Sequence, residues 1–152
     1  MKRSRIGVQH ARRTVISRSY QGTIKLGRGI ARTLKAGDLV FLYGELGSGK
    51  TMFTKGIARG LDIREPVTSS SFVIATEYRG KMRLSHVDLY RLSERDIGNL
   101  PLDEYMVEDG VTVIEWSERL RLTRSQRRGG FHIHIAIMGP NTREFILEDL
   151  RY

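Results

Sequence analysis

Residues Leu39–Ala58 read LVFLYGELGSGKTMFTKGIA, and this stretch decides the fold. Five apolar residues in a row have the length and continuity of a strand buried on both faces. Glycines then turn the chain, and KTMFTKGIARGL continues as a helix stopped near Gly60. Gly44, Gly49, Lys50 and Thr51 satisfy G-x-x-x-x-G-K-[ST] in the strand-then-helix context that the motif requires. Backbone N–H groups of Gly47, Ser48, Gly49 and Lys50 can then line one concavity, with the positive end of the helix dipole behind them. Lys50 adds a mobile cation for β- and γ-phosphates, and Thr51 a hydroxyl for Mg²⁺. The expectation is a nucleotide site formed by Gly44, Glu45, Leu46, Gly47, Ser48, Gly49, Lys50, Thr51 and Met52.

Outward from this centre, Arg13–Ser17 is a short strand candidate, and Ser19 can cap a helix running to about Leu34. SFVIATEY and KMRLSHV read as strands joined through Arg79–Gly80. Ser93 to Gly110 is polar and broken by Gly98, Asn99 and Pro101, which suggests loop with short helix. VTVIEW is another buried strand, Leu120–Gly130 a basic connector, and FHIHIAIMG an alternating, half-buried strand that REFILED can pair with across the Gly139–Asn141 turn. Together these predict an α/β P-loop mononucleotide-binding fold: a mixed sheet with flanking helices and a C-terminal antiparallel strand pair. One domain over residues 19–152 is expected, preceded by a basic arm over 1–18 that can include part of the first strand.

Charge sharpens the division. Of the 26 Lys and Arg, ten lie in residues 1–37, where there is no acid at all; the other 16 face 17 Asp and Glu. The net +9 therefore belongs to one end of the molecule, which suits nucleic acid or an acidic partner as well as a solvated helix face. No apolar run approaches the ~20 residues of a membrane span. The start has charge but no apolar stretch behind it, so no secretory signal is expected. The absence of cysteine removes disulfides and thiolate chemistry and fits a reducing cytoplasm.

Two acids stand at the C-terminal ends of apolar strands, Asp88 after MRLSHV and Glu115 after VTVI. Ligands sit at that edge of such sheets, so either acid can hold Mg²⁺ or orient an attacking water. His86 shares Asp88's face, as a partner of the acid or as a structural histidine. The single tryptophan, Trp116, is a stacking or a core residue. His132 and His134 share a strand face without other ligands nearby in sequence and make no metal site. Neither N-K-x-D nor D-x-x-G occurs, which argues against a GTPase.

The succession GELGSGKTMFTKG, VTSSSFVIATEY, SHVDLYRL and VIEWSERL resembles the TsaE (YjeE) family, small P-loop ATPases of bacterial tRNA modification, from about Tyr20 to Tyr152. The resemblance implies ATP and Mg²⁺ as cofactors and a part, with TsaB and TsaD proteins, in making N6-threonylcarbamoyladenosine at tRNA position 37. It implies that Lys50 binds phosphate, that Thr51 and Glu115 hold the metal, and that Asp88 assists at the metal or the water. Thr68, Ser69, Ser70 and Ser71 correspond to a switch-like loop, with Ser70 where the family has proline and Ser71 where it has threonine. Tyr20 falls where the family places adenine. Arg143 either reaches the nucleotide or is a surface arginine. Arg79, Arg91 and Arg119 are arginines available to the site, none with the spacing of a finger, so slow, partner-regulated hydrolysis is expected. Two other readings are a small-molecule kinase with Leu120–Gly130 as its lid, and a basic RNA-binding module in which ATP is incidental.

Overall fold

The computed structural model describes residues 11–68 and 74–151. Seven strands form one mixed sheet in the order β1-β7-β6-β2-β5-β4-β3. At its centre, β2 (Leu39–Tyr43) runs parallel to both β5 (Gly110–Glu115) and β6 (Gly130–Ile137), and β4 (Arg83–Asp88) runs parallel to β5. The remaining pairs are antiparallel: β3 (Ala75–Arg79) on β4, β7 (Arg143–Asp149) on β6, and β1 (Ala11–Ser17) on β7. The mixed sheet and its closing antiparallel pair are as the sequence predicts. Part of the basic arm belongs to the sheet, since residues 11–17 pair with β7 along their whole length.

β2 is central in the sheet and packs into a core on each face, which is why it reads as an unbroken apolar run. Val40 and Leu42 point into the larger core, beneath α1 (Tyr20–Ala31) and α2 (Lys50–Gly60). Phe41 points the other way, with Val87, Leu89 and Ile114, into a second core. That core is closed by Ile97 of α3 (Glu94–Gly98), by Leu102 and Tyr105 of α4 (Leu102–Tyr105), and by Trp116.

Several features differ from the sequence reading, among them the starts of β1 at Ala11 and β3 at Ala75. Helix α1 starts on the Ser19 cap as expected but ends at Ala31, the last turn tightening through Thr33→Ile30 and Leu34→Ala31 bonds. Trp116 leaves β5 in a left-handed conformation and so is not strand. The connector at 120–130 contains a turn of helix, α5 (Arg124–Arg128), fixed by a Thr123–Gln126 capping box. In β6 the alternation holds only from Ile133 to Ala136: Phe131 packs into the larger core and His132 is covered on the other face by Phe41 and the Arg127 carbonyl, while Ile137, expected on the buried face, is exposed.

Helices α1 and α2 pack side by side with their N-termini together. Gly27 and Gly56 make this possible, since a Cβ on Gly56 would stand 2.3 Å from the Ile24 carbonyl oxygen and 3.0 Å from Gly27 Cα. No side chain can rotate away to relieve that clash. Gly56→Ala is expected to lower stability by ~1–3 kcal/mol despite alanine's better helix propensity. A urea melt would show it as a reduced midpoint at unchanged slope.

Candidate nucleotide site

The loop after β2 reaches α2 through Gly47 and Gly49, whose φ angles of 80° and 104° suit glycine and strain other residues. Gly49 caps α2 without any side-chain acceptor, so the first-turn N–H groups of α2 have no capping partner. Outward-facing donors at a helix start form a place for an anion. Ser48 is fully buried and ties the loop to Glu45 through a 3.1 Å backbone bond.

Lys50 is 5% exposed. Its ammonium donates to the carbonyls of Gly44 and of Glu45 (3.0 Å) and to Ser48 Oγ (3.3 Å), and lies 3.9 Å above the Trp116 ring. These partners are dipoles and a π-face, and no carboxylate is in direct contact. Burial consequently pushes the Lys50 pKa down, opposed by the more distant charges of Glu118, Glu115, Asp88 and Glu45. Trp116 also packs against Tyr90, the rings tilted by 30° with centroids 4.9 Å apart.

Glu115 ends β5 at 2% exposure. Both of its carboxylate oxygens lie 3.2 Å from Thr51 Oγ1, and Oε1 lies 3.3 Å from Thr54 Oγ1 and 2.7 Å from His86 Nε2. A carboxylate only accepts, so against it the His86 Nε2 carries the proton. Asp88 is Glu115's register partner on β4; it is half-buried, and its Oδ1 accepts from the Tyr90 N–H at 3.0 Å. The sheet therefore sets Lys50, Thr51, Glu115 and Asp88 around one edge.

Beside the loop lies a cleft of about 300 Å³, open solvent included, between the N-termini of α1 and α2 and the turn joining β6 to β7. Tyr20, Gly47, Ser48, Gly49, Met52 and Arg143 line it, together with Ser19, Thr23 and Asn141. Tyr20 is 61% exposed, an open aromatic face. Arg143 does more than decorate a surface: it donates to the carbonyls of Gly139 (2.8 Å), Thr142 (3.0 Å) and Gly47 (3.0 Å), which joins the turn to the loop. Glu45 and Leu46 contribute backbone only, their side chains facing solvent. Thr68 is exposed, and Ser69, Ser70 and Ser71 lie outside the described residues.

Sequence reasoning did not single out Thr54, Thr23, Ser19 or Asn141 as lining the site. Thr54 was legible in principle, one helical turn beyond Lys50 on the face turned to β5. Asn141 carried no signal beyond that of a turn. Of the arginines considered, Arg119 is committed to the Leu89 and Tyr90 carbonyls and to Glu94, while Arg79 and Arg91 point to solvent. The Leu120–Gly130 connector starts beside Trp116 at the site edge and runs away from it, since Gly130 pairs with Leu39 at the start of β2 and the loop follows the strand's other end. His132 belongs to a stack: Tyr43 Oη is 2.8 Å from its Nδ1, the Arg127 carbonyl 2.9 Å from its Nε2, and Phe41 packs on its ring. Burial pushes the His132 pKa down and that of Tyr43 up to about 12.

The residues present suit a magnesium nucleotide. A buried cation coordinated only by dipoles and uncapped helix N–H groups favour a polyanion. A hydroxyl beside a single buried carboxylate suits an ion that keeps most of its waters. Among the described residues no cluster of three or more His, Asp or Glu forms an all-protein metal cage.

Known proteins share this design. The family model for TsaE, threonylcarbamoyl adenosine biosynthesis protein, matches residues 17–145. A tRNA threonylcarbamoyladenosine biosynthesis protein TsaE of Treponema pallidum is 42% identical over 106 residues, 69% of this chain and 78% of the relative. One of Bacillus subtilis is 40% identical over 133 residues, 87% of this chain and 80% of the relative. The crystal structure of Bacillus subtilis YdiB superposes with a TM-score of 0.74 at 32% identity, covering 93% of this chain and 88% of that one. With the motifs, the sheet order and these matches in agreement, the chain belongs to the TsaE family.

Proposed function

We propose that this protein binds MgATP and hydrolyses it slowly, as the ATP-driven subunit that works with TsaB and TsaD proteins in threonylcarbamoyl modification of tRNA adenosine. The observation that carries the reading is the pairing of Lys50, held by dipoles and the Trp116 ring without a carboxylate, with Thr51 bonded to the buried Glu115 at the same sheet edge. The family names of the relatives supply the pathway.

The loop amides and Lys50 would hold the β- and γ-phosphates, with Lys50 leaving the Gly44 and Glu45 carbonyls to do so. Thr51 and Glu115 would hold Mg²⁺, and His86 fixes the Glu115 carboxylate in its orientation, as a second hydrogen-bond layer does for metal ligands. Asp88, one strand away, would hold the attacking water or a metal-bound one. Tyr20 would take the base on its open face, and Arg143 would hold the turn against the loop. When bound, the nucleotide supplies the phosphoanhydride and the metal neutralises charge on its phosphates. None of Arg79, Arg91 and Arg119 is placed to neutralise the γ-phosphate, which favours slow turnover until a partner intervenes. A cytoplasmic location is part of this proposal. No described helix is long and apolar enough to cross a membrane.

The test is ATP hydrolysis by the purified chain, alone and with TsaB and TsaD. Slow turnover alone and a clear change on adding both partners are expected. Fast turnover indifferent to them would remove the partnership and leave only the nucleotide site.

A further inference from the structure

The surface that the nucleotide site does not use is the outer face of α1. Lys25, Arg28 and Arg32 are all exposed and fall within about 60° of one another at 3.6 residues per turn, over about 10 Å of helix. Gly29 lies between them along the axis but about 40° to 100° round the helix, at the flank of the stripe, with open space where a Cβ would stand. Helix α2 extends the surface. Its Gly60 backs directly onto Arg28, and the exposed Arg59 precedes it.

Neither helix contains a single Asp or Glu. The nearest acids beyond their C-terminal ends are Asp38, paired with Arg151 at 2.6 Å, and Asp62. Among the described residues, no ion pair involves Lys25, Arg28, Arg32 or Arg59. Cations left without acids to pair with are free to shed counterions onto a polyanion.

We infer that this stripe is a docking track for the phosphate backbone of RNA. Its composition separates RNA from other anionic partners. Protein interfaces carry an apolar and aromatic centre, and a helix lying on a membrane buries an apolar face in it. Here the apolar face of α1 is spent on α2 and the larger core, through Leu26, Ile30 and Ala31. The exposed large apolar residues lie elsewhere, apart from Tyr20 at the cleft end of α1. What remains is charge along a line, which contacts phosphates without reading bases. The track starts where the nucleotide cleft ends, so bound RNA and the ATP site would lie on one helix pair. That the RNA is a tRNA rests on the function proposed above; the binding itself does not.

The test is fluorescence anisotropy with an unmodified tRNA transcript across a salt series, on the full chain and on K25Q/R28Q/R32Q. Wild-type binding should weaken steeply with salt. The triple variant should bind about tenfold or more weakly, its log–log salt slope reduced by about two units at ~0.7–0.9 for each phosphate no longer neutralised. R28K/R32K should restore wild-type behaviour. An unchanged slope in the triple variant would overturn the inference, as would a slope lost only in K2Q/R3Q/R5Q. Polyglutamate bound as tightly, with the same loss in the triple variant, would assign the track to an acidic protein instead. Retained ATP turnover in the triple variant shows that it is folded. Absence of ATP turnover in every form would sink the ATPase reading and leave the RNA result standing.

Discussion

Lys50→Ala yields a folded protein whose ATP turnover falls roughly 100- to 1,000-fold, the range for removing one preorganised donor from a developing anion. The fold survives because the change removes a cation whose burial is unfavourable, and whose partners are a hydroxyl, a ring and two carbonyls that water can reach at the loop. The loss is readable without turnover. Trp116 is the sole tryptophan and carries the ammonium over its ring, so MgATP drawing Nζ away changes its emission in wild type and leaves the variant silent. pH supplies a second reading. Because burial depresses the Lys50 pKa from 10.5, ATP affinity falls with rising pH before the ordinary lysine range is reached. The sign for stability is opposite. The folded state holds this proton less firmly than the unfolded chain, so the penalty is full below the folded pKa and is relieved as pH climbs towards the unfolded value. A variant with wild-type turnover and emission response would remove Lys50 from the chemistry.

Changing the two acids separates their roles. Glu115→Ala strips an acceptor from Thr51, Thr54 and His86 in a site that excludes water, and costs ~1–3 kcal/mol of stability by leaving buried donors unmatched. Glu115→Gln keeps the shape but not the charge, and lowers Mg²⁺-dependent turnover roughly 100-fold while nucleotide binding through the loop persists. Asp88→Asn, at a half-buried position, leaves stability within about 0.5 kcal/mol and lowers turnover without raising the Mg²⁺ requirement. Urea melts and Mg²⁺ titrations read both quantities. If Asp88→Asn shifts the Mg²⁺ requirement and Glu115→Gln does not, the metal belongs to Asp88.

Features encoded over a few neighbouring residues were legible in the sequence. LVFLY, GELGSGK and the helix after them form one local unit, and acids at the ends of apolar strands fall at the sheet edge whatever the strand order. Features that depend on register were not. His86 could be placed on Asp88's face by alternation, but that its Nε2 meets Glu115 follows from β4 pairing with β5 in one alignment. Arg143 reads locally as one more charged strand residue. Only with Ser17 on one side and Ile137 on the other does it stand beside the Gly47 carbonyl. The basic connector at 120–130 shows the same dependence: arginine content suggests a lid, and strand direction alone fixes that its last residue, Gly130, stands beside the start of β2.

The glycine contact between α1 and α2 has a bearing on traffic through the cleft. Two helices touching backbone to backbone move as one slab, so the side carrying Tyr20, Thr23 and Met52 cannot swing independently of the phosphate loop. Entry and departure of a ligand then fall to the opposite side, where the Gly139–Thr142 turn is latched to the loop by Arg143 alone among the described side-chain bonds. The bond from Arg143 to the Gly47 carbonyl is therefore the side-chain contact that an opening on that side would have to break.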